Sequence, residues 1–432
     1  MPPTVERFVC PGKGNGLRAT ARISRGQLVT SAEPLASCVS GKRAREVCHH
    51  CFTRQETLLR CSQCKMARYC NAACQKQAWY GHKRECKCLR RLLPRIPTDS
   101  VRLAARLRFL NPPKTVGNEL YTLEEHESNL NLMSEQKKQG LSQLASMLEL
   151  YVQQEEDSDL TQEVTSALPT SCRDPLSLIA KVGEMNIKPI LLSVAQDKKH
   201  IEVLSLLNHD CRPNCVMVFE GERLQLRAVQ DIRPKDELTI SYIETLSLTE
   251  ERQKQLQEQY HFICHCQRCS SKKEEGFMLS GKEEKWQQLK VALPRLEGLK
   301  TESNWPALLE SCCNLLSAAG AELPDENLYK LRVTDMALDA AVQLGQWEEA
   351  LRYGMKTLPA YRFFYPDPHP VHGVQLMRVG KLQHYLEHLE DALDTFKEAF
   401  TIMRMTHGDG HPLTSDLRMK MEECRLEMSG RH

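Results

Sequence analysis

Cysteine spacing is the feature that most constrains how this chain can fold. Between residues 48 and 86, ligand-type side chains come in four close pairs: Cys48-x-x-Cys51, Cys61-x-x-Cys64, Cys70-x-x-x-Cys74 and His82-x-x-x-Cys86. Eight such ligands fill two tetrahedral zinc sites. A segment of under about 40 residues has too few apolar residues to fold without metal, so we expect zinc binding and folding to be one event.

A second cluster predicts a third zinc site. Cys264-x-Cys266-x-x-Cys269 supplies three ligands, and Cys211, in the segment Asn208-His-Asp-Cys211, is the candidate for the fourth. The chain has 19 cysteines, but several come in C-x-x-C pairs and no apolar signal segment opens the sequence, so the disulfides of a secreted protein are not expected. We expect a reducing compartment: the cytoplasm, the nucleus or both.

Length and charge narrow the function classes. With 432 residues the chain should form two or three domains, and its net charge of +2 gives no overall attraction to nucleic acid or membranes. No run approaches the roughly 18 apolar residues of a membrane helix, so no membrane partner is expected. Residues 41–95, however, carry 14 Lys or Arg against 3 Asp or Glu. This excess is either a solvated surface or a site for phosphates and acidic peptides, which leaves weak nucleic-acid contact open.

Hydrophobic patterning predicts alternating strand-rich and helical regions. Residues 1–45 and 215–242 resemble short strands separated by turns, and the two sets could share one sheet. Residues 98–167 show helical spacing and form a helical insert between them. Beyond about residue 276 the pattern is helical to the end.

The C-terminal region contains an internal repeat. Trp347-Glu-Glu-Ala-Leu351 recurs as Leu389-Glu-Asp-Ala-Leu393, and each copy continues to a His-Pro pair, at residues 369–370 and 411–412. The two copies are offset by 42 positions throughout. Such a repeat predicts stacked helix pairs of the tetratricopeptide kind.

Two motif sets resemble one known family. The finger, with Arg68-Tyr-Cys70 and Ala78-Trp79 ahead of His82, resembles the MYND zinc finger. The order Asn208-His-x-Cys211, then Glu237-Leu-Thr-Ile-Ser-Tyr242, then the last cysteine cluster resembles a SET methyltransferase domain with its post-SET zinc site. Together they resemble the SET and MYND domain protein-lysine methyltransferases over nearly the whole chain, most closely the third member of that family.

The resemblance implies an α+β fold built around a split SET domain. The implied domains are the N-terminal part of the SET domain at 1–45, the MYND finger at 46–90, the helical insert at 91–180, the C-terminal part of the SET domain at 181–250, the post-SET segment at 251–275 and the tetratricopeptide-like helical domain at 276–432. A monomer is expected.

The resemblance also implies how the ligands are shared, which spacing alone leaves open. One zinc would take Cys48, Cys51, Cys70 and Cys74, and the other Cys61, Cys64, His82 and Cys86. Cys88 is left over and is expected to be a packing residue. The implied cofactor is S-adenosylmethionine, bound by Lys13, Asn15, Tyr121, Glu127, Asn129, Ser205, Asn208, His209, Tyr242 and Phe262.

Tyr242 is the implied catalytic residue, with its phenol orienting the lysine amine, and Tyr260 would line the lysine channel. Taken without the flanking motifs, a tyrosine that ends an alternating strand is more often core filling. The glycines of Gly12-Lys-Gly-Asn-Gly16 are similar to a phosphate loop, but no Lys-Ser/Thr follows. A close backbone approach is the better use of these glycines.

The sequence departs from the family in three places. Lys13 stands where relatives carry arginine, and Asp210 stands where they carry serine after Asn-His. Residues 183–200 contain no aromatic residue, whereas the family has an Asn-x-Phe strand there that bonds the cofactor and walls the lysine channel. One channel wall would therefore be missing.

Three functions compete on these grounds. The first is a methyltransferase that acts on lysines of histone tails and other proteins. The second is a catalytically impaired scaffold whose MYND finger binds proline-rich peptides and whose helical repeats dock partners. The third, a sequence-specific DNA regulator, lacks a recognisable reading helix and ranks well below the others.

Overall fold

The computed structural model follows the order of elements that the sequence pattern predicts. It describes residues 4–32, 36–109, 128–154, 174–187, 206–221, 223–366 and 368–430. Described strands lie before residue 70 and between residues 208 and 240, helices separate the two groups, and helices dominate after residue 249. The predicted α+β fold class is confirmed.

Strands from the two ends of the split region meet in one sheet. At the N-terminus lie β1 (Val5–Cys10), β2 (Gly14–Ala19) and β3 (Leu28–Ala32). After the insert come β6 (Asn208–His209), β7 (Cys215–Glu220), β8 (Arg223–Ala228) and β9 (Thr239–Ile240). β3 pairs antiparallel with β8, which pairs antiparallel with β7. The expectation that the early and late strands share a sheet is therefore met.

Two further pairings bring the late motifs together. β1 and β2 form an antiparallel hairpin, and an isolated bridge joins Arg18 of β2 to Glu237. β6 pairs in parallel with β9, with Asn208 opposite Thr239 and His209 opposite Ile240. The Asn-His motif and the segment that ends at Tyr242 are thus neighbours, although they lie far apart in sequence.

The zinc finger is compact and continues into the insert. Its elements are β4 (Leu59–Arg60), β5 (Arg68–Tyr69) and helix α1 (Ala72–Leu92). The side chain of Asn71 caps α1 by accepting the backbone N–H of Cys74 at 2.9 Å. The insert adds α2 (Asp99–Phe109), α3 (Glu135–Gln153) and α4 (Pro175–Ile187). Finger and insert share one buried cluster, in which Cys88 and Leu89 of α1 are fully covered.

The C-terminal half consists of packed helices. It follows α5 (Thr249–Tyr260), α6 (Gln267–Ser271) and α7 (Glu275–Met278), and contains α8 (Glu283–Thr301), α9 (Trp305–Ala319), α10 (Leu328–Gln343), α11 (Trp347–Phe364), α12 (Pro370–Tyr385), α13 (Leu389–Thr406) and α14 (Pro412–Ser429). Within the described residues, no helix combines the length and apolarity needed to cross a membrane.

The internal repeat corresponds to two helix pairs. α11 and α13 begin at the two copies of the repeated motif, and α12 and α14 begin at the proline of each His-Pro pair. In both pairs the histidine Nδ1 accepts the backbone N–H two residues later, so His369 and His411 are side-chain N-caps. The predicted helical repeat is confirmed, and each proline occupies the first helical turn, where its missing N–H costs no bond.

The helical half packs against the segment that follows β9. Leu246 shares a buried cluster with Leu328, Leu331 and Phe364. Beside it, the Tyr365 hydroxyl donates to the Glu244 carboxylate at 2.6 Å. A second contact lies at the sheet, where His411 Nε2 is 3.0 Å from the Phe219 carbonyl oxygen of β7. The two halves are therefore joined at both ends of the late strands.

Candidate functional site

The first group of predicted zinc ligands comes together near the surface of the finger. The ligand atoms of Cys48, Cys51, Cys70 and Cys74 all lie within 4.8 Å of one another. The sulfurs of Cys51 and Cys70 are 3.5 Å apart. Cys48 is buried and the other three are partly exposed.

The second group forms in the interior of the finger. Cys61, Cys64, His82 and Cys86 are all buried, and their ligand atoms also lie within 4.8 Å of one another. The sulfurs of Cys61 and Cys86 are 3.7 Å apart, and Cys64 Sγ is 3.5 Å from His82 Nε2. The ligands of the two groups interleave along the chain, as the resemblance to the MYND finger implies.

A buried carboxylate, absent from the sequence prediction, lies behind His82. Glu85 is fully buried, and its Oε2 is 3.5 Å from His82 Nδ1. Arg102 Nε and Arg106 Nη2 of α2 donate to the same carboxylate at 2.9 Å and 2.6 Å. Burial alone would raise the pKa of Glu85, but the charges of Arg106 and Arg102 outweigh it and hold the pKa well below its ordinary value. A carboxylate in this position fixes the ring of a zinc-binding histidine.

The third group joins residues that are far apart in sequence. Cys211 lies with Cys264, Cys266 and Cys269, again with all ligand atoms within 4.8 Å. The sulfurs of Cys211 and Cys269 are 3.5 Å apart. The Arg252 guanidinium donates to Cys269 Sγ at 3.6 Å, which offsets the negative charge of a four-cysteine site.

The chemistry of the three donor sets fits zinc. Four thiolates on one tetrahedral zinc with Zn–S bonds of about 2.3 Å stand about 3.8 Å apart. The sulfur separations of 3.5 and 3.7 Å in these groups are close to that value. Each group has four protein ligands, so each is a closed, structural site with no open position for a substrate. The three groups fit three zinc ions.

Predicted cofactor residues from both parts of the SET region meet at one end of β6. Lys13 Nζ forms an ion pair with Glu237 Oε2 at 3.0 Å, and Asn208 Nδ2 donates to Glu237 Oε1 at 2.8 Å. Asn208 Nδ2 also lies 3.3 Å from the Asn15 carbonyl oxygen. A Cβ at Gly16 would come within 2.8 Å of the Phe8 ring and 3.1 Å of Asn208 Nδ2, so this close backbone approach requires glycine.

Glu237 is a site residue that sequence reasoning missed as a participant. It was part of the quoted motif that ends at Tyr242, and an acidic side chain at the start of a buried strand could have drawn attention to it. Asn214 supports the same segment, since its side chain donates to the Glu237 carbonyl at 2.7 Å and accepts the Thr239 N–H at 2.9 Å. The segment is therefore anchored from both its side chain and its backbone.

Tyr242 lies in a cluster of rings next to this polar group. The Tyr242 ring centroid is 4.9 Å from that of Tyr260, 5.3 Å from that of His209 and 6.3 Å from that of Phe262. Tyr242 and Tyr260 are each less than a tenth exposed. The Tyr242 hydroxyl donates to the Leu207 carbonyl oxygen. The structure thus brings the predicted catalytic residue Tyr242, the channel residue Tyr260 and the partly buried cofactor residue Phe262 into one aromatic group.

His209 takes part in this group through its side chain. Its Nδ1 accepts the Tyr242 backbone N–H at 3.0 Å, and its Nε2 lies 3.3 Å from Cys211 Sγ. Burial lowers the pKa of His209 to about 4; Cys266 opposes this shift, whereas Arg252 and Lys13 add to it. Because Nδ1 accepts an N–H, it carries no proton, and the proton of the neutral ring is on Nε2.

Of the four remaining predicted cofactor residues, the structure describes only Asn129. Asn129 precedes a short 3-10 turn (Leu130–Leu132) of the insert, with a left-handed backbone φ of 50°. Tyr121, Glu127 and Ser205 lie outside the described residues. So does 188–200, the larger part of the segment that departs from the family, whereas the backbone of 183–187 forms the end of α4.

Comparisons with known proteins agree with this geometry. A SET domain family model matches residues 14–243, a span that runs from the start of β2 to just past Tyr242 and includes the finger. The histone-lysine N-methyltransferase SMYD3 of Homo sapiens is 42% identical over 430 residues, which cover 98% of each chain. Smyd1 of Mus musculus, also named a histone-lysine N-methyltransferase, is 30% identical and covers 98% of this chain and 90% of its own. The N-lysine methyltransferase SMYD2 of Gallus gallus is 29% identical over 98% of each chain.

Proposed function

The chain belongs to the SET domain family, in its SET and MYND branch of protein-lysine methyltransferases, and we propose that it methylates lysine side chains of histones and other proteins with S-adenosylmethionine as donor. The observation that carries this proposal is the buried aromatic group around Tyr242 beside the polar group of Lys13, Asn208 and Glu237. The likeness to SMYD3 supports the predicted nearness to the third family member.

The aromatic group supplies what the lysine nucleophile needs. A free lysine amine has a pKa of about 10.4 and is almost wholly protonated at neutral pH. Rings that exclude water, such as those of Tyr242, Tyr260 and Phe262, disfavour the ammonium form and lower that pKa. They also hold the amine in line for attack, which removes much of the entropic barrier.

The polar group suits the amino acid end of the cofactor. S-adenosylmethionine supplies an electrophilic methyl group on sulfur, so no covalent intermediate with the protein is required. Lys13 offers a cation to a carboxylate, and the carbonyl of Asn15 and the side chains of Asn208 and Glu237 offer partners to an ammonium group. Because Lys13 is paired with Glu237, its charge is already oriented toward this end of the site.

Replacement of Tyr242 by phenylalanine tests the proposed chemistry. In a radiolabel transfer assay on histone and non-histone protein substrates, Tyr242→Phe should lower kcat by about 100-fold or more, because alignment of the amine is lost while the ring remains. Tyr385→Phe, at a tyrosine that is 64% exposed on α12, is the matched control and should keep full activity. Full activity in Tyr242→Phe would show that Tyr242 is not the catalytic residue.

Calorimetry separates cofactor binding from chemistry. Lys13→Ala in zinc-loaded protein should weaken S-adenosylmethionine binding by about 10–100-fold, since it removes a charge-assisted hydrogen bond. Lys13→Arg, which restores the residue that the family carries, should keep the affinity. Equal affinity in Lys13→Ala and the wild type would exclude Lys13 from the cofactor site.

Finer features of the function are also proposals. We propose that the chain is a monomer that acts in both the cytoplasm and the nucleus, and that its finger binds proline-rich peptides and makes weak nucleic-acid contacts. Tyr80, which is 83% exposed on α1, supports the peptide contact, and the basic excess of residues 41–95 supports the nucleic-acid contact. Fluorescence anisotropy of a labelled proline-rich peptide tests the peptide contact, and Tyr80→Ala should weaken the binding. A steep salt dependence of oligonucleotide binding would support the nucleic-acid contact.

A further inference from the structure

The backbone of Tyr242 is held at both of its polar groups. His209 Nδ1 accepts the Tyr242 N–H at 3.0 Å, and the Tyr260 hydroxyl donates to the Tyr242 carbonyl oxygen at 3.1 Å. Since Tyr242 begins the turn that follows β9, the regular strand pairing does not supply these bonds. The two side chains therefore take over the role that a neighbouring strand would have.

The geometry also fixes the tautomer of His209. A nitrogen that accepts a backbone N–H carries no proton, so the proton of the neutral ring is on Nε2. Nε2 lies 3.3 Å from Cys211 Sγ, within range of an N–H···S bond to a thiolate. His209 is only 4% exposed and packs against the Phe262 ring, at a centroid distance of 5.9 Å. Its side chain thus connects one cysteine of the third zinc group to the backbone of Tyr242.

We propose that His209 is a positioning residue that couples the third zinc group to Tyr242. This inference rests on the proposed function and adds a role for the His209 side chain, which the sequence assigned to the cofactor. The Cys211 sulfur accepts a hydrogen bond from Nε2–H and so keeps Nδ1 free to accept. Nδ1 then holds the backbone N–H of Tyr242 in place. Loss of the third zinc would then disturb Tyr242 without any direct contact between the metal and the lysine channel.

Two isosteric substitutions separate the two ends of the histidine. In His209→Asn the amide oxygen can take the place of Nδ1, but nothing reaches the sulfur. In His209→Gln the amide nitrogen can take the place of Nε2, but the acceptor for Tyr242 is lost. His388→Asn and His388→Gln, at an exposed histidine ahead of α13, are matched controls.

Hydrogen exchange at the Tyr242 amide and zinc release to a chelator are measured in all variants, and neither needs activity. His209→Gln should expose the Tyr242 amide to exchange while it retains all three zinc ions. His209→Asn should keep the amide protected and release one zinc about tenfold faster or more. Equal amide protection in the wild type and both His209 variants would overturn the proposal.

Transfer kinetics then connect the link to catalysis. His209→Gln should lower kcat by about 10–100-fold, since a displaced Tyr242 misaligns the amine. An unchanged kcat in a folded, zinc-replete His209→Gln would contradict the positioning role. If the wild type itself transfers no methyl group, the proposed function fails, and the exchange and zinc measurements still decide whether His209 makes the link.

Discussion

The zinc finger and the C-terminal helices both have a buried interior, but the interiors differ in kind. In the finger the zinc ligands Cys48, Cys61, Cys64 and Cys86 are among the most deeply buried residues, and Glu85 of α1 forms a buried charged group with Arg102 of the insert. In the helical half the interior consists mainly of apolar side chains, which form two large clusters spread over several helices. The finger should therefore fail as a unit when one ligand or charge is lost, whereas the helices spread their stability over many contacts.

Zinc removal should give the largest difference between the two regions. Each structural zinc contributes about 10–16 kcal/mol to the folding of a small metal domain, and the finger has few buried apolar residues of its own besides its ligands. A chelator in excess should abolish hydrogen-exchange protection across residues 48–92 and leave protection in α8 to α14 unchanged. Loss of protection in both regions would show that the helices also depend on the metal.

Breaking the buried charge group should have the next largest effect. Arg102→Ala leaves Glu85 with one partner fewer in a fully buried site, which should lower the free energy of unfolding by about 3–5 kcal/mol. Arg54, whose side chain is 72% exposed, is a surface partner of Glu46. Arg54→Ala should therefore lower the free energy of unfolding by about 1 kcal/mol or less. Chemical denaturation measures both. Similar losses for the two arginines would remove the distinction between buried and surface charge in the finger.

In the helical half, a single added methyl group should have a moderate effect. A Cβ at Gly380 of α12 would lie 2.6 Å from Phe396, a fully buried ring of α13, so Gly380→Ala should destabilise by about 1–3 kcal/mol. Gly298→Ala in α8 meets nothing within 4 Å and should instead stabilise by about 0.5–1 kcal/mol. Denaturation curves of the pair check the sign. No loss for Gly380→Ala would contradict the tight α12–α13 contact, and a loss for Gly298→Ala would contradict the open space at that position.

The smallest expected effect is a pH dependence in the same half. Burial raises the pKa of Asp335 to about 6, although the Tyr361 hydroxyl donates to its carboxylate at 2.9 Å. A carboxyl with a raised folded pKa is stabilising when protonated, so its contribution falls as pH rises from about 4 to about 6. Asp335→Asn lacks this titration, and its stability relative to the wild type should improve by about 1–2 kcal/mol across that window. If the stability difference between Asp335→Asn and the wild type does not change with pH, the pKa of Asp335 is not raised.

Local spacing explains why much of the architecture was predictable. Ligand pairs separated by two or three residues, as in Cys61-x-x-Cys64, indicate a metal site because a single turn of the chain brings both side chains to the same ion. The helical repeat was visible for a similar reason, because Trp347 and Leu389 begin equivalent helices at a constant offset. The sequence did not show by itself how the eight finger ligands divide, since either half of the finger could have closed on itself.

Long-range contacts account for what was missed. Arg102 and Arg106 lie 17 and 21 positions from Glu85, and nothing in the spacing of these charges marks them as partners. The direction of the His209 ring was also hidden, because the Asn-His motif names the residue but not which nitrogen faces Tyr242. Glu237 joins Lys13 across 224 positions, a pairing that only the folded chain brings about.

The interleaving of the ligand groups has a consequence for the order of events during protein synthesis. The first group is complete once Cys74 leaves the ribosome, while the second has to wait for Cys86. The third needs Cys269, although its first ligand, Cys211, emerges much earlier. The three ligand sets therefore become complete in a fixed order during synthesis, and the set next to Tyr242 is complete only when nearly two thirds of the polypeptide has been made.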